Sequence, residues 1–358
     1  MRAGERRAAA RFVALTLGAV ALAAGCGGAD EEPGVPVRDA AALAAAAATI
    51  TDADIVRRIG VMAHDSMRGR ATPSPELEEV ALWIAAEFRA MGLEPGGDDG
   101  GYLQRYPIPQ RDSAAPVGPV PTAPNVVGIL PGSDPLLSGE YLVFSAHMDH
   151  VGVRRPDESG DSIYNGADDD ASGTATILEV AEAMAALAVP PRRSVIFVAV
   201  SGEERGLWGS EHFVASAPVP VSAMVANLNA DMVGRNWTDT IVAIGKEHSE
   251  LGAILERVNA AHPELGMTAI DDLWPDERFY FRSDHFNFAR QGVPILFFFN
   301  GVHDDYHRPS DEVEKIDGEK TARIGRLLFY LGMEVADAGS APAWNPESYE
   351  QIVEGAGR

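Results

Sequence analysis

Four short runs of nearly unbroken apolar residues are separated by segments with helical spacing: "EYLVFSAHMD" from Glu140, "RSVIFVAVSGEE" from Arg193, "SAMVANLNADMVG" from Ser222 and "VPILFFFN" from Val293. A strand that is apolar in every position has to be covered on both faces, which is the pattern of parallel strands between helices. The alternation therefore predicts an α/β fold, with a mixed, largely parallel central sheet flanked by helices on both faces. In open sheets of this kind ligands gather beyond the carboxyl ends of the strands. The polar residues at the end of each run are therefore the candidates for a site.

The first run ends in "HMDH". His147 and Asp149 are two apart and point the same way in extended chain, so one can bind a metal while the other holds its second ring nitrogen. An incidental polar strand end is the alternative. "NGADDDASG", Asn165 to Gly173, sets three carboxylates side by side, which is costly unless a cation or solvent screens them. A solvated turn that caps the next helix would also explain it. "SGEERG" places Glu203 and Glu204 directly behind an apolar run, where two carboxylates either face solvent or divide metal binding and proton transfer between them. Asp231 closes the third run, and "FRSDHFNF" and "GVHDDYHRPSD" add His285, His303 and His307. Taken together, His147, Asp169, Glu204, Asp231 and His307 form a nitrogen and oxygen donor set without sulfur, suited to two zinc ions sharing one carboxylate.

The ordered motifs "HMD", "NGADDDASG", "SGEERGLWGS", "NADMVG", "RSDH" and "DYHRPSD" resemble those of the dinuclear-zinc exopeptidases that include bacterial leucyl aminopeptidase and, more distantly, glutamate carboxypeptidase. The resemblance spans roughly residues 50 to 338 and implies the zinc-exopeptidase, phosphorylase/hydrolase-like fold. It implies His147, Asp169 and Asp231 as ligands of one zinc, and Asp169, Glu204 and His307 as ligands of the other, with Asp169 as the bridge. Asp149 would orient His147, Glu203 would serve as general base and acid, and Tyr280 would donate a hydrogen bond in the transition state. His150 is expected to be a bystander, His285 a hydrogen-bonding support, and His303 a loop residue. Asp170 is expected to cap the following helix, and Asp168 has no assigned role.

The implied activity is removal of amino-terminal residues from peptides. A metallocarboxypeptidase or dipeptidase of the same fold is the alternative, with Arg278 or Arg282 as its cationic clamp; a non-catalytic binding protein and a glutaminyl cyclase are less favoured. The loop "DDLWPDERFYF" could supply an anionic, aromatic-walled pocket from Asp271, Asp272, Asp276, Glu277, Trp274, Phe279 and Phe281. Peptides are the expected partners. A net charge of -24 over 358 residues argues against nucleic acid.

The amino terminus runs from Arg2, Arg6, Arg7 and Arg11 into a short apolar stretch ending at "LAAGC", which reads as a secretory signal over residues 1–25. Cys26, the single cysteine, resembles a lipobox residue and would carry a lipid anchor. Export to the membrane surface, or secretion without the lipid, is the expected location. Residues 26–48 read as a flexible tether, 49–338 as the exopeptidase domain with a helical preface to 110, and 339–358 as a tail.

Overall fold

The computed structural model describes residues 38–109 and 120–355. The expected signal, Cys26 and most of the expected tether lie outside the described residues. The strands are β1 (Glu94–Pro95), β2 (Leu103–Pro107), β3 (Thr122–Leu130), β4 (Tyr141–His147), β5 (Gly152–Val153), β6 (Ile163–Tyr164), β7 (Ser194–Val200), β8 (Met224–Ala230), β9 (Thr240–Ile244), β10 (Thr268–Ile270) and β11 (Ile295–Phe298). The helices are α1 (Ala40–Ala47), α2 (Asp52–Met62), α3 (Pro75–Ala90), α4 (Gly173–Ala185), α5 (Trp208–Ala215), α6 (Leu251–Ala261), α7 (His285–Ala289), α8 (Gly318–Asp337) and α9 (Pro346–Tyr349).

Among the described residues the main sheet has nine strands in the order β1-β3-β7-β4-β8-β11-β9-β10, with β2 also pairing β3. The centre is parallel: β4 pairs β7 and β8, and β8 pairs β11, all in the same direction. Antiparallel pairs flank it at β3–β7 and β9–β11. The sheet is thus mixed with a parallel middle, as expected.

Alternation along β4 divides the core between the two faces. Leu142, Phe144 and Ala146 pack with Ile55 of α2, Val80 of α3, Leu178 of α4 and Leu328 of α8. Val143 lies in the opposite cluster with Ile196, Val198, Phe213 of α5 and Phe288 of α7. Every residue of β7 is buried, which is why that run shows no polar alternation. Across the strands Phe144 and Phe197 stack at 5.3 Å; truncating a buried ring of this kind costs about 3–5 kcal/mol.

Helix starts follow their caps. Thr51 Oγ1 accepts the Asp54 N–H at 3.2 Å, and Ser74 Oγ accepts that of Leu77 at 3.0 Å ahead of Pro75, satisfying amides that have no partner inside the helix.

Two boundaries differ from expectation. Residues 40–47, assigned to the tether, form α1, capped by Asp39 and buried at Ala46 and Ala47, while Arg38 binds the Asp337 carboxylate and the Pro190 carbonyl. An alanine-rich run has strong helix propensity but little apolar bulk, so docking on the domain decides its state. The expected tail also returns to the domain: Trp344 Nε1 donates to Gly292 O at 2.8 Å and Ile352 is buried.

Candidate metal centre

The predicted site residues converge at the carboxyl ends of the parallel strands. His147 ends β4, Asp231 follows β8, and Glu203 and Glu204 open the single turn Glu203–Arg205 after β7. Asp169 lies in the turn before α4, and His307 in the loop beyond β11.

Asp169 holds the arrangement together. Its Oδ1 lies 3.3 Å from His147 Nε2, which in turn is 3.6 Å from Asp231 Oδ1. Its Oδ2 lies 3.1 Å from His307 Nε2, which is 3.2 Å from Glu204 Oε1. The two oxygens of one carboxylate thus face two separate donor sets. The second set includes a residue expected to be a bystander: His150 Nδ1 is 2.9 Å from Glu204 Oε1 and 3.7 Å from Asp169 Oδ2.

Supports fix several of the donors. Ser283 Oγ donates to Asp231 Oδ2 at 2.8 Å and accepts from Asn229 Nδ2 at 3.3 Å. Ser145 Oγ then donates to Asn229 Oδ1 at 2.6 Å, so a buried polar chain runs from the sheet to the site. Asp149 faces His147, as expected, and does more besides. His147 Nδ1 is 3.1 Å from its backbone oxygen and 3.7 Å from its carboxylate. That carboxylate also accepts from Thr72 Oγ1 at 2.7 Å and from the Glu203 N–H at 3.3 Å. It ties the turn carrying Glu203 to the strand end carrying His147.

The aspartate triplet has three distinct uses. Asp170 accepts the first N–H of α4, that of Gly173, at 2.8 Å, although Ser172 holds the N-cap position, and also accepts the backbone N–H groups of His147 and Met232. Asp168, unassigned from sequence, accepts Gly234 N at 2.6 Å and faces His303 Nε2 at 3.2 Å. The turn itself is clamped from behind. Asp311 accepts the N–H groups of Asp168 and Asp169, and the fully buried Arg70 donates to the carbonyls of Met148, Asn165 and Gly166. At Gly166, with φ of 61°, an added Cβ would sit 2.3 Å from Asp169 O and 2.5 Å from the His150 ring, so only glycine fits.

Tyr280 is a correction. Its ring packs edge-on against His248 at 4.7 Å, and its buried hydroxyl has no hydrogen-bond partner among the described residues. The pocket is lined instead by Tyr306, stacked on His307 at 4.0 Å. The signal is present in "DYH", where Tyr306 adjoins His307. His285 does support the loop, with Nε2 2.8 Å from Tyr280 O. His303 stays outside the donor sets.

The pocket is lined by the polar residues His147, Asp169, Glu203, Asp231 and Arg282 and by the apolar and aromatic residues Phe279, Phe299, Val302 and Tyr306. Of the aromatic wall expected from the 271–281 loop only Phe279 lines the pocket: Trp274 packs behind it against Phe279 and Phe299, and Phe281 is exposed. The anionic part of the 271–277 loop does not line it: Asp271 pairs with Lys246 at 2.6 Å, Asp272 caps Trp274 N at 2.7 Å, and Glu277 faces Arg282 at 3.6 Å.

Electrostatics divide the acids. Burial, reinforced by Asp284, Asp231 and Glu204, pushes the Glu203 carboxyl well above the usual range, which suits a proton acceptor and donor. Burial works to lower the His307 pKa, but the carboxylates of Asp169 and Glu204 prevail and raise it to about 9. A cation belongs among these groups: Glu204 Oε1 and His150 Nδ1 are buried and lack aligned hydrogen-bond partners among the described residues. The nitrogen and oxygen donors fit zinc.

The model of Peptidase family M28 matches residues 125–332, the span that holds every one of these donors. The chain belongs to Peptidase family M28. A probable zinc metalloprotease of Leptosphaeria maculans is 27% identical over 300 residues, covering 73% of this chain and 67% of its own. The M28 chain spans between 60% and 67% of the length of three such curated relatives. In fold it is similar to the LapA aminopeptidase of Legionella pneumophila, with a TM-score of 0.63 and 22% identity over 84% of this chain and 76% of that one. The zinc aminopeptidase BSAP from Bacillus subtilis gives 0.63 and 17% over 80% and 95%.

Proposed function

We propose that this M28 chain is a zinc-dependent aminopeptidase that removes amino-terminal residues from peptides and holds two zinc ions. The observation carrying the reading is the division of Asp169, one oxygen toward His147 and the other toward His307. His147, Asp169 and Asp231 would hold one ion, and Asp169, Glu204 and His307 the other. Bound there, zinc supplies Lewis-acid polarisation of the scissile carbonyl and a more acidic water.

The chain's own residues do the rest. Glu203, raised by burial, takes the proton of the attacking water and returns it to the leaving amine. Asp149 and Thr72 keep the Glu203 turn in place. Tyr306, on the pocket wall among the carboxylates, is placed to donate to the developing oxyanion. The acidic residues of the pocket suit a free α-ammonium group, and Phe279, Phe299 and Val302 suit an apolar first side chain. Arg282 is a poor clamp for a substrate carboxylate, since its guanidinium lies over the Phe279 ring at 4.6 Å and faces Glu277 at 3.6 Å.

Export, with a lipid on Cys26, remains part of the proposal on the sequence pattern of residues 1–26. No helix among the described residues is long and apolar enough to cross a membrane. The activity is tested with free, amino-blocked and carboxyl-amidated dipeptides. Cleavage should need the free amine and tolerate the amide; dependence on a free carboxylate would establish the carboxypeptidase instead.

A further inference from the structure

We propose that His150 is a fourth protein ligand of the second metal position, through Nδ1, giving that position two nitrogens and two carboxylates. The proposal rests on the zinc reading above. His150 is 1% exposed, and neither ring nitrogen has a hydrogen-bond partner among the described residues. Its Nδ1 is 2.9 Å from Glu204 Oε1 and 3.7 Å from Asp169 Oδ2, the two oxygens that His307 Nε2 also faces at 3.2 and 3.1 Å. The two imidazoles meet at 71° with centroids 5.6 Å apart, so they approach the same carboxylate pair from different directions.

The neighbouring histidines show what a supporting role looks like here. His285 has an acceptor in Tyr280 O and stacks on Phe297 at 4.2 Å; His303 lies between Asp168 and the Asp305 N–H. His150 has neither kind of partner. Despite the short distance to Glu204, no aligned hydrogen bond joins them. The backbone makes room for its ring: the missing Cβ of Gly166 leaves the space that the imidazole fills. Buried polar atoms without partners are rare and call for a ligand or ion.

A four-ligand position beside a three-ligand one has unequal affinities. The second position should fill first and resist chelators longer than that of His147, Asp169 and Asp231.

The test uses metal-free protein titrated with zinc and separately with Co2+, comparing wild type with His150→Ala and His150→Asn. Asn preserves a donor near the Nδ1 position but is a poor metal ligand. The expected result is that both variants lose more than about 100-fold in affinity for the tighter equivalent, beyond the 10–100-fold typical of residues that only support a ligand. Their first-equivalent cobalt spectrum should intensify, as it does when coordination number falls. Wild-type affinity and spectrum in His150→Asn would overturn the proposal in favour of a hydrogen bond to Glu204, and no change in either variant would overturn it outright. Thermal unfolding of the metal-free variants checks that they fold, and Asn alone decides if Ala does not. Failure of wild type to bind any metal would sink the zinc reading itself, a distinguishable result.

Discussion

The Asp149 carboxylate accepts the backbone N–H of Glu203 at 3.3 Å, while His147 is held by the backbone oxygen of Asp149 at 3.1 Å. The motif "HMD" therefore holds both His147 and the turn that carries Glu203. For Asp149→Asn, the loss should fall on kcat, by about 10–100-fold, with zinc content close to wild type. Metal analysis beside steady-state kinetics checks this; a variant that binds zinc poorly but turns over normally when loaded would contradict it.

Glu203→Gln removes the proton acceptor and keeps the shape. Since the proposed ligands are other residues, zinc content should match wild type while kcat falls by about 10² to 10⁴-fold. Near-normal turnover in a zinc-replete protein would refute the role.

The two tyrosines make a sharper comparison. Tyr306→Phe should lower kcat by about 10² to 10³-fold with little change in KM, the size expected for one oxyanion donor. Tyr280→Phe, at a residue whose hydroxyl is unpartnered and which does not line the pocket, should leave kcat unaltered. The reverse ranking would restore the role expected for Tyr280 from its spacing to "RSDH".

These residues show what a sequence can convey. His147, Asp169, Glu204, Asp231 and His307 are legible because each follows an apolar run or sits in a motif whose strand end fixes its place. The sheet is legible for the same reason. Tyr280 is not, because the direction of a side chain on the single turn Phe279–Phe281 depends on what packs beneath it, here His248 and His285. Arg70 leaves no signal, since its partners are backbone carbonyls far along the chain. His150 reads as a bystander because its closeness to Glu204 exists only after two strand ends are brought together.

The metal-free protein should lose stability as the pH rises from 7 to 8. His307, despite burial, is held by Asp169 and Glu204 at about 9, above the 6.5 of an unfolded chain. A raised folded pKa contributes stability that is complete below the unfolded value and lost as the pH climbs through the folded one. Burial raises Asp284 and Glu179 to about 7, and their ionisation opposes folding in the same direction. Opposite effects sit at the edges of the window: burial lowers His285 to about 3 and also lowers His212 and His248, an influence that fades above 6.5 as the unfolded imidazoles lose their protons, and it lowers Lys320 to about 8, an influence that begins there. Zinc should reverse the trend, because it needs the imidazole unprotonated and so binds more tightly as the proton becomes easier to displace. Melting temperatures of chelator-treated and zinc-loaded protein across this range read both slopes. A metal-free melting temperature that climbs with pH would show that His307 is not held as a cation by Asp169 and Glu204.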